Sequence, residues 1–155
     1  MFQINLPPYP TNVTRTQGRL LIFDILRRRY VRLTPEEWVR QHFIHYLTGH
    51  KGYPAALMGS EVTLTLNGMT RRCDAVLFGR DGHPRMLLEF KAPNIAVTQA
   101  VFTQICAYNQ TMRVPWLIVS NGLNHYCCHI RTADEGSQPY RFLTDIPSYD
   151  QLEET

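Results

Sequence analysis

The sequence predicts an α/β (α+β) chain in which a helix, a three-strand meander, a second helix and two further strands form a mixed sheet flanked by helices. Three observations predict it. The dipeptides Asn67-Gly68 and Asp81-Gly82 punctuate runs of alternating residues, as tight hairpin turns do. Apolar residues recur at helical spacing in two segments that bracket this meander. A short apolar run, Trp116-Leu117-Ile118-Val119, lies between Pro115 and Asn121-Gly122 and suits a buried strand. A length of 155 residues predicts one domain, residues 19–155 with a core over about 34–130, behind an irregular arm over 1–18.

The elements follow in order. Residues 1–18 are rich in Pro, Thr and Asn and predict no regular structure. Residues 20–23 and 30–33 read as short strands around a basic turn, Arg27-Arg28-Arg29. Thr34 is a good N-cap, Pro35 suits the first helical position and Glu37 completes a capping box. Val39, Phe43, Tyr46 and Leu47 form that helix's apolar stripe, and Gly49 or Gly52 ends it. Strands are expected over 58–66, 70–78 and 84–91, with Pro93 closing the third. A helix over 97–113 carries Val97, Val101, Ile105, Tyr108 and Met112 at helical spacing before Pro115 stops it. Strands over 116–119 and 125–130 follow, with further strand character at 140–143.

Composition bounds the function. The apolar fraction of 44% and formal net charge of +3 argue against a disordered chain. No stretch approaches the ~20 apolar residues of a membrane span, and the first ten residues lack the pattern of a signal peptide. Cys73, Cys106, Cys127 and Cys128 show no Cys-x-x-Cys spacing, and adjacent Cys127 and Cys128 would point to opposite sheet faces. A cytoplasmic protein with reduced thiols and no membrane contact is expected.

Turn arithmetic locates the chemistry. A two-residue turn at Asn67-Gly68 pairs positions whose numbers sum to 135, which sets Glu61 opposite Asp74. A two-residue turn at Asp81-Gly82 makes the sum 163 and sets Asp74 opposite Glu89. Three carboxylates then form one row across three strands, on the face opposite Val62, Leu64, Leu66, Cys73, Ala75, Leu77, Met86, Leu88 and Phe90. Like charges ~4 Å apart repel by about 4 kcal/mol at an effective dielectric of about 20, so such a row retains a proton or holds a cation. Hard carboxylate oxygens suit Mg²⁺ or Mn²⁺. Lys91 projects from the same face in the next row, in a chain whose basic residues are otherwise 14 Arg and Lys51. A bulge in either hairpin would instead scatter the row into ordinary surface acids.

Asp74 followed by Glu89-Phe90-Lys91, on the second and third strands of a helix-then-meander unit, resembles the PD-(D/E)xK nuclease superfamily. The segments Arg72-Cys73-Asp74-Ala75-Val76, Leu87-Leu88-Glu89-Phe90-Lys91-Ala92-Pro93 and Val119-Ser120-Asn121-Gly122 look like the N-terminal nuclease domain of type I restriction enzyme R subunits. The resemblance implies a restriction-endonuclease-like core and a Mg²⁺-dependent DNA endonuclease. It implies Asp74 and Glu89 as metal ligands, with the Phe90 carbonyl and Glu61 as further ligands, and Lys91 acting on the attacking water or the phosphate. A Gln-x-x-x-Tyr motif of related nucleases matches Gln104 and Tyr108. The motif's Pro is Cys73 here. No Walker A loop occurs in these residues, so a motor or specificity subunit is expected on a separate chain.

Other features carry less. Arg71, Arg72 and Arg113 are the better DNA-binding candidates, ahead of the Arg27, Arg28, Arg29 and Arg32 cluster, which a solvated turn also explains. His42 with His45, and His125 with His129, lack companion ligands at metal spacing. Glu36 and Glu37 are explained by their capping position. The alternatives to a nuclease are a non-catalytic DNA-binding or partner-docking module of the same fold, and a small-molecule phosphohydrolase using the same acids.

Overall fold

A computed structural model describes residues 2–130 and 140–152, apart from the side chain of Tyr108. The chain forms two sheets. Strands β1 (Val13–Thr16), β2 (Arg19–Asp24) and β3 (Arg29–Arg32) make an antiparallel three-stranded sheet. Helix α1 (Pro35–His50) follows, then β4 (Met58–Leu66), β5 (Met69–Phe78), β6 (Pro84–Phe90), α2 (Gln99–Met112), β7 (Trp116–Ser120), β8 (His125–Ile130), β9 (Tyr140–Leu143) and α3 (Tyr149–Leu152). The six later strands form one sheet in chain order, antiparallel except for the parallel β6–β7 pair that α2 connects. This is the mixed α+β architecture expected, with one more strand. β1 occupies part of the arm predicted to be irregular, because Gln17 and Gly18 at φ 51° and 76° form a tight turn that Gln-Gly does not advertise.

The helices lie on opposite faces of the larger sheet. Val39, Phe43, Ile44 and Leu47 of α1 pack on Ala75, Leu77, Met86, Leu88, Phe90, Ile118 and Cys127. Phe102, Cys106 and Met112 of α2 pack on Val76, Leu87, Leu117, Val119 and Cys128. Both faces of the central strands are therefore buried, which is why β7 is apolar at every position but its last. Cys127 and Cys128 do face opposite sides, and all four cysteines are free and buried. No helix among the described residues is long and apolar enough to cross a membrane.

The predicted pairing sums hold and the predicted single apolar face does not. β4 and β5 pair at sum 135 on both sides of Glu61, from Met58↔Leu77 to Leu66↔Met69. Glu61 itself has φ 55° and drops out of the ladder. That left-handed residue turns the outer half of the hairpin, so Leu64 and Cys73, with Val62 and Leu66, pack on the α2 side rather than with Ala75 and Leu77. Asn67 at the turn reaches α2, its Nδ2 donating to the Met112 carbonyl at 3.3 Å. β5 and β6 pair at sum 163 for Ala75↔Leu88, Val76↔Leu87 and Leu77↔Met86. The turn there is a three-residue loop closed by Gly79 N–H to His83 O at 2.8 Å, and a register shift at Leu77/Phe78 restores the predicted sum.

Candidate active site

The site lies where β5 and β6 part company at the C-terminal end of β6. Beyond the Ala75↔Leu88 pair the ladder stops, and the Asp74 side chain substitutes for it: its Oδ2 accepts the Phe90 N–H at 2.8 Å. Asp74 therefore abuts the peptide that joins Glu89 to Phe90. Lys91 follows, fixed by its N–H donating to the Ser120 carbonyl of β7 at 2.9 Å. Ser120 is wholly buried; its hydroxyl lies 2.7 Å from His125 Nδ1 and accepts the Gly122 N–H at 2.9 Å. Asn121 braces the same corner, its Oδ1 accepting from Leu123 and Asn124 and its Nδ2 donating to the Ile95 carbonyl at 2.8 Å.

The N-terminal turns of α1 form one wall. Thr34 caps the helix as expected, accepting the Glu37 N–H at 3.0 Å. The predicted reciprocal half of the capping box is not made. Glu37, 5% exposed, instead accepts from Arg40, Gln41 and Arg27. Arg40, 6% exposed, continues inward to the Asp74 carbonyl at 3.0 Å and to Glu61 Oε1 at 2.8 Å. Burial lowers and these carboxylates raise the Arg40 pKa, with a net upward shift that keeps it charged. Glu61 also takes Arg72 Nε at 2.8 Å. Burial works against its charge, but the two arginines prevail and hold its carboxyl below the ordinary range. Glu36 is pushed upward by partial desolvation and by Asp74, with Arg40 and Lys91 opposing the shift.

The predicted row is consequently divided. Glu61 and Asp74 gather at Arg40 on the α1 side. Glu89 is ion-paired with Arg71, whose guanidinium also bonds Asn109 of α2. The Glu61 bend separates residues that a flat hairpin would align. Gln104, which interrupts the apolar spacing expected of this helix, lies exposed on α2, and the buried stripe is Phe102, Cys106, Asn109 and Met112. The side chain of its motif partner Tyr108 lies outside the described residues. Arg72 stands at Glu61, while Arg113 caps the far end of α2 at φ 58°. Periodicity that scores apolar residues misses Glu37, Arg40, Gln41 and Asn109, all of them buried and polar; the i,i+3 spacing of Glu37 and Arg40 was the available signal.

Among the described residues no group of three or more His, Cys, Asp and Glu is placed to hold a metal. The histidine pairs are used otherwise: His42 Nδ1 lies 2.8 Å from the Trp38 carbonyl and His45 stacks on Tyr9. Mg²⁺ asks less than such a cage, being held by one or two carboxylates with water or phosphate completing the shell. Asp74 has one oxygen with no hydrogen bond among the described residues, and Glu89 with the Phe90 carbonyl adds hard oxygen donors. The donor chemistry fits a hard divalent cation, provided Glu89 exchanges Arg71 for it.

A family model described as type I restriction enzyme R protein N terminus (HSDR_N) matches residues 35–147. No curated protein and no solved structure gives a match.

Proposed function

The chain belongs to the family of type I restriction enzyme R protein N termini, and from that premise we propose that it hydrolyses DNA phosphodiester bonds with Mg²⁺ or Mn²⁺ at Asp74, Glu89 and Lys91. The observation that supports the reading is the Asp74 carboxylate seated on the Phe90 N–H, which holds Asp74 of β5 against the peptide that joins Glu89 to Phe90 on β6. Asp74, Glu89 and the Phe90 carbonyl would hold the cation, which when bound supplies an acidified water and charge stabilisation at phosphate. Glu61 would join them only after leaving Arg40 or Arg72.

The chain's own groups do the rest. Lys91, its main chain anchored by the N–H bond to the Ser120 carbonyl, would offset charge developing on the phosphate or orient the water. Arg40 positions Asp74 and Glu61 from beneath and remains protonated throughout. Arg72, with 67% of its side chain exposed, is available to a phosphate on releasing Glu61. Gln104 and Tyr108 remain candidates for contacts to DNA or water from α2, and Arg113 for a more distant phosphate. A separate motor or specificity subunit would act with this domain, in the cytoplasm.

One observation favours the alternative of a non-catalytic DNA-binding module: guanidinium groups already neutralise Glu61 and Glu89 without a cation. Incubation with supercoiled, linear and single-stranded DNA plus Mg²⁺ or Mn²⁺ separates the two. Metal-dependent cleavage is expected, falling by at least about a hundredfold in Asp74→Asn and in Lys91→Ala. Cleavage that survives both substitutions refutes the mechanism. Absence of cleavage with DNA binding retained supports the module.

A further inference from the structure

The net charge of the chain conceals a division. Residues 1–33 contain six arginines and one acid, Asp24, a formal +5, whereas the ten basic and twelve acidic residues of 34–155 leave −2. Asp24 is wholly buried and committed to Arg27, which also reaches Glu37. The other five, Arg15, Arg19, Arg28, Arg29 and Arg32, are exposed, and none forms an ion pair among the described residues.

The β1–β3 register sorts the sheet into two faces. Val13, Ile22 and Val31 form one row, and Ile22 is fully buried, so that face turns inward. The outward face carries Thr16 beside Arg19, then the row Thr14, Leu21 and Arg32, then Phe23 beside Tyr30. Tyr30 is 42% exposed, edge-on to Phe23 at 5.3 Å, and its hydroxyl donates to Asn12 Oδ1 at 2.8 Å. Arginines, threonine hydroxyls and a braced aromatic ring share this surface, and it holds no acid. A surface kept only for solubility mixes both signs. One-sign charge with hydroxyl donors is complementary to a polyanionic backbone.

We propose that the outward face of the β1–β3 sheet, with Arg19 and Arg32, and the exposed Arg15 and Arg29 at its rim, which stand in the outer rows of the opposite face, bind the phosphate backbone of DNA as a second binding surface beside the candidate active site. The sheet precedes the segment that the family model matches. The chain Arg27–Glu37–Arg40–Asp74 joins the β2–β3 turn to the site through successive ion pairs and a hydrogen bond to the Asp74 carbonyl. The choice of DNA as the polyanion rests on the reading above; the charge geometry does not.

Binding is measured by fluorescence anisotropy of labelled duplex and single-stranded DNA in EDTA, where cleavage is off, across about 50–200 mM salt. The variant Arg15→Gln/Arg19→Gln/Arg29→Gln/Arg32→Gln is compared with wild type and with Asp74→Asn, each checked for an unchanged thermal transition. The sheet variant is expected to lose at least about tenfold in affinity, and its salt slope to fall by about 3–4, near 0.9 for each phosphate no longer neutralised. Asp74→Asn, which removes an acid and no arginine, should weaken neither. Loss on duplex assigns the surface to double-stranded DNA, and loss confined to single strands assigns it to single-stranded DNA. A folded sheet variant with wild-type affinity and slope overturns the proposal, as does stronger binding of wild type to an acidic polypeptide than to either DNA. Failure of cleavage with the arginine-dependent slope intact would remove the nuclease reading and leave this surface standing.

Discussion

One oxygen of Asp74 accepts the Phe90 N–H while the other is the one proposed to take the cation, and the two roles separate by mutation. Asp74→Asn keeps an acceptor for the Phe90 N–H, whereas Asp74→Ala leaves that donor unsatisfied. Urea unfolding should therefore show Asp74→Ala destabilised by about 1–3 kcal/mol and Asp74→Asn by much less. Arg40 is the other residue on which the site depends. Arg40→Ala leaves buried Glu37 with Arg27 and Gln41 alone and strips the Asp74 carbonyl of its guanidinium donor, and should cost about 1–3 kcal/mol, read by the same measurement. The acids also give signs for pH dependence. Glu61 and Asp24 titrate below their ordinary range, so their stabilisation is present above about pH 4 and lost as pH falls through their folded values. Glu36 has the opposite sign: its raised carboxyl favours the fold at low pH, and that contribution fades as pH rises. Thermal melts should show Glu61→Gln with a shallower acid limb than wild type, and Glu36→Gln gaining stability only toward neutral pH. The seat of Asp74 beside the Glu89–Phe90 peptide was legible in the sequence, because the hairpin arithmetic gives the β5–β6 register. Arg40 and Asn109 were not, because a buried polar residue reads as surface when only its type is known.

At the scale of elements, the turns were the readable part. Asn67-Gly68 set the β4–β5 register, and Asn121-Gly122 set the corner that places Lys91. Gly122 sits at φ 86°, and a Cβ there would meet Ile4 Cγ2 at 2.8 Å and Val39 Cγ2 at 3.0 Å. Gly122→Ala should destabilise by more than about 1 kcal/mol in equilibrium unfolding, and should disturb the Asn5 N–H bond to the Gly122 carbonyl. Alternation failed at Glu61. A period of two assigns faces only while a strand stays extended, and one left-handed residue rotated the outer hairpin onto α2 without changing a single pairing sum. The β5–β6 turn succeeded by compensation, since a three-residue loop and a bulge cancel. β1 was hidden by its length of four residues and by a Gln-Gly turn.

At the scale of the molecule, the family segment begins at residue 35, where the small sheet has just ended, yet the interactions cross that boundary. Asp24, Arg27, Glu37, Arg40 and Glu61 form one ion-pair chain, and Ile25 and Leu26 pack on the α1-side core. Sheet and core should accordingly unfold in a single transition by calorimetry, and a chain beginning at Thr34 should melt well below the full one. The +5 of residues 1–33 and the −2 of residues 34–155 give a weakly basic chain one strongly basic sheet, the surface proposed to bind DNA. Whether that centre holds a cation is tested most directly by calorimetric titration of Mn²⁺ into wild type, Asp74→Asn, Glu89→Gln and Lys91→Ala. Binding is expected in wild type and Lys91→Ala and lost in Asp74→Asn and Glu89→Gln, with DNA cleavage lowered at least about a hundredfold in all three variants. Absence of Mn²⁺ binding by wild type, or equal binding by all four, would contradict the proposed site.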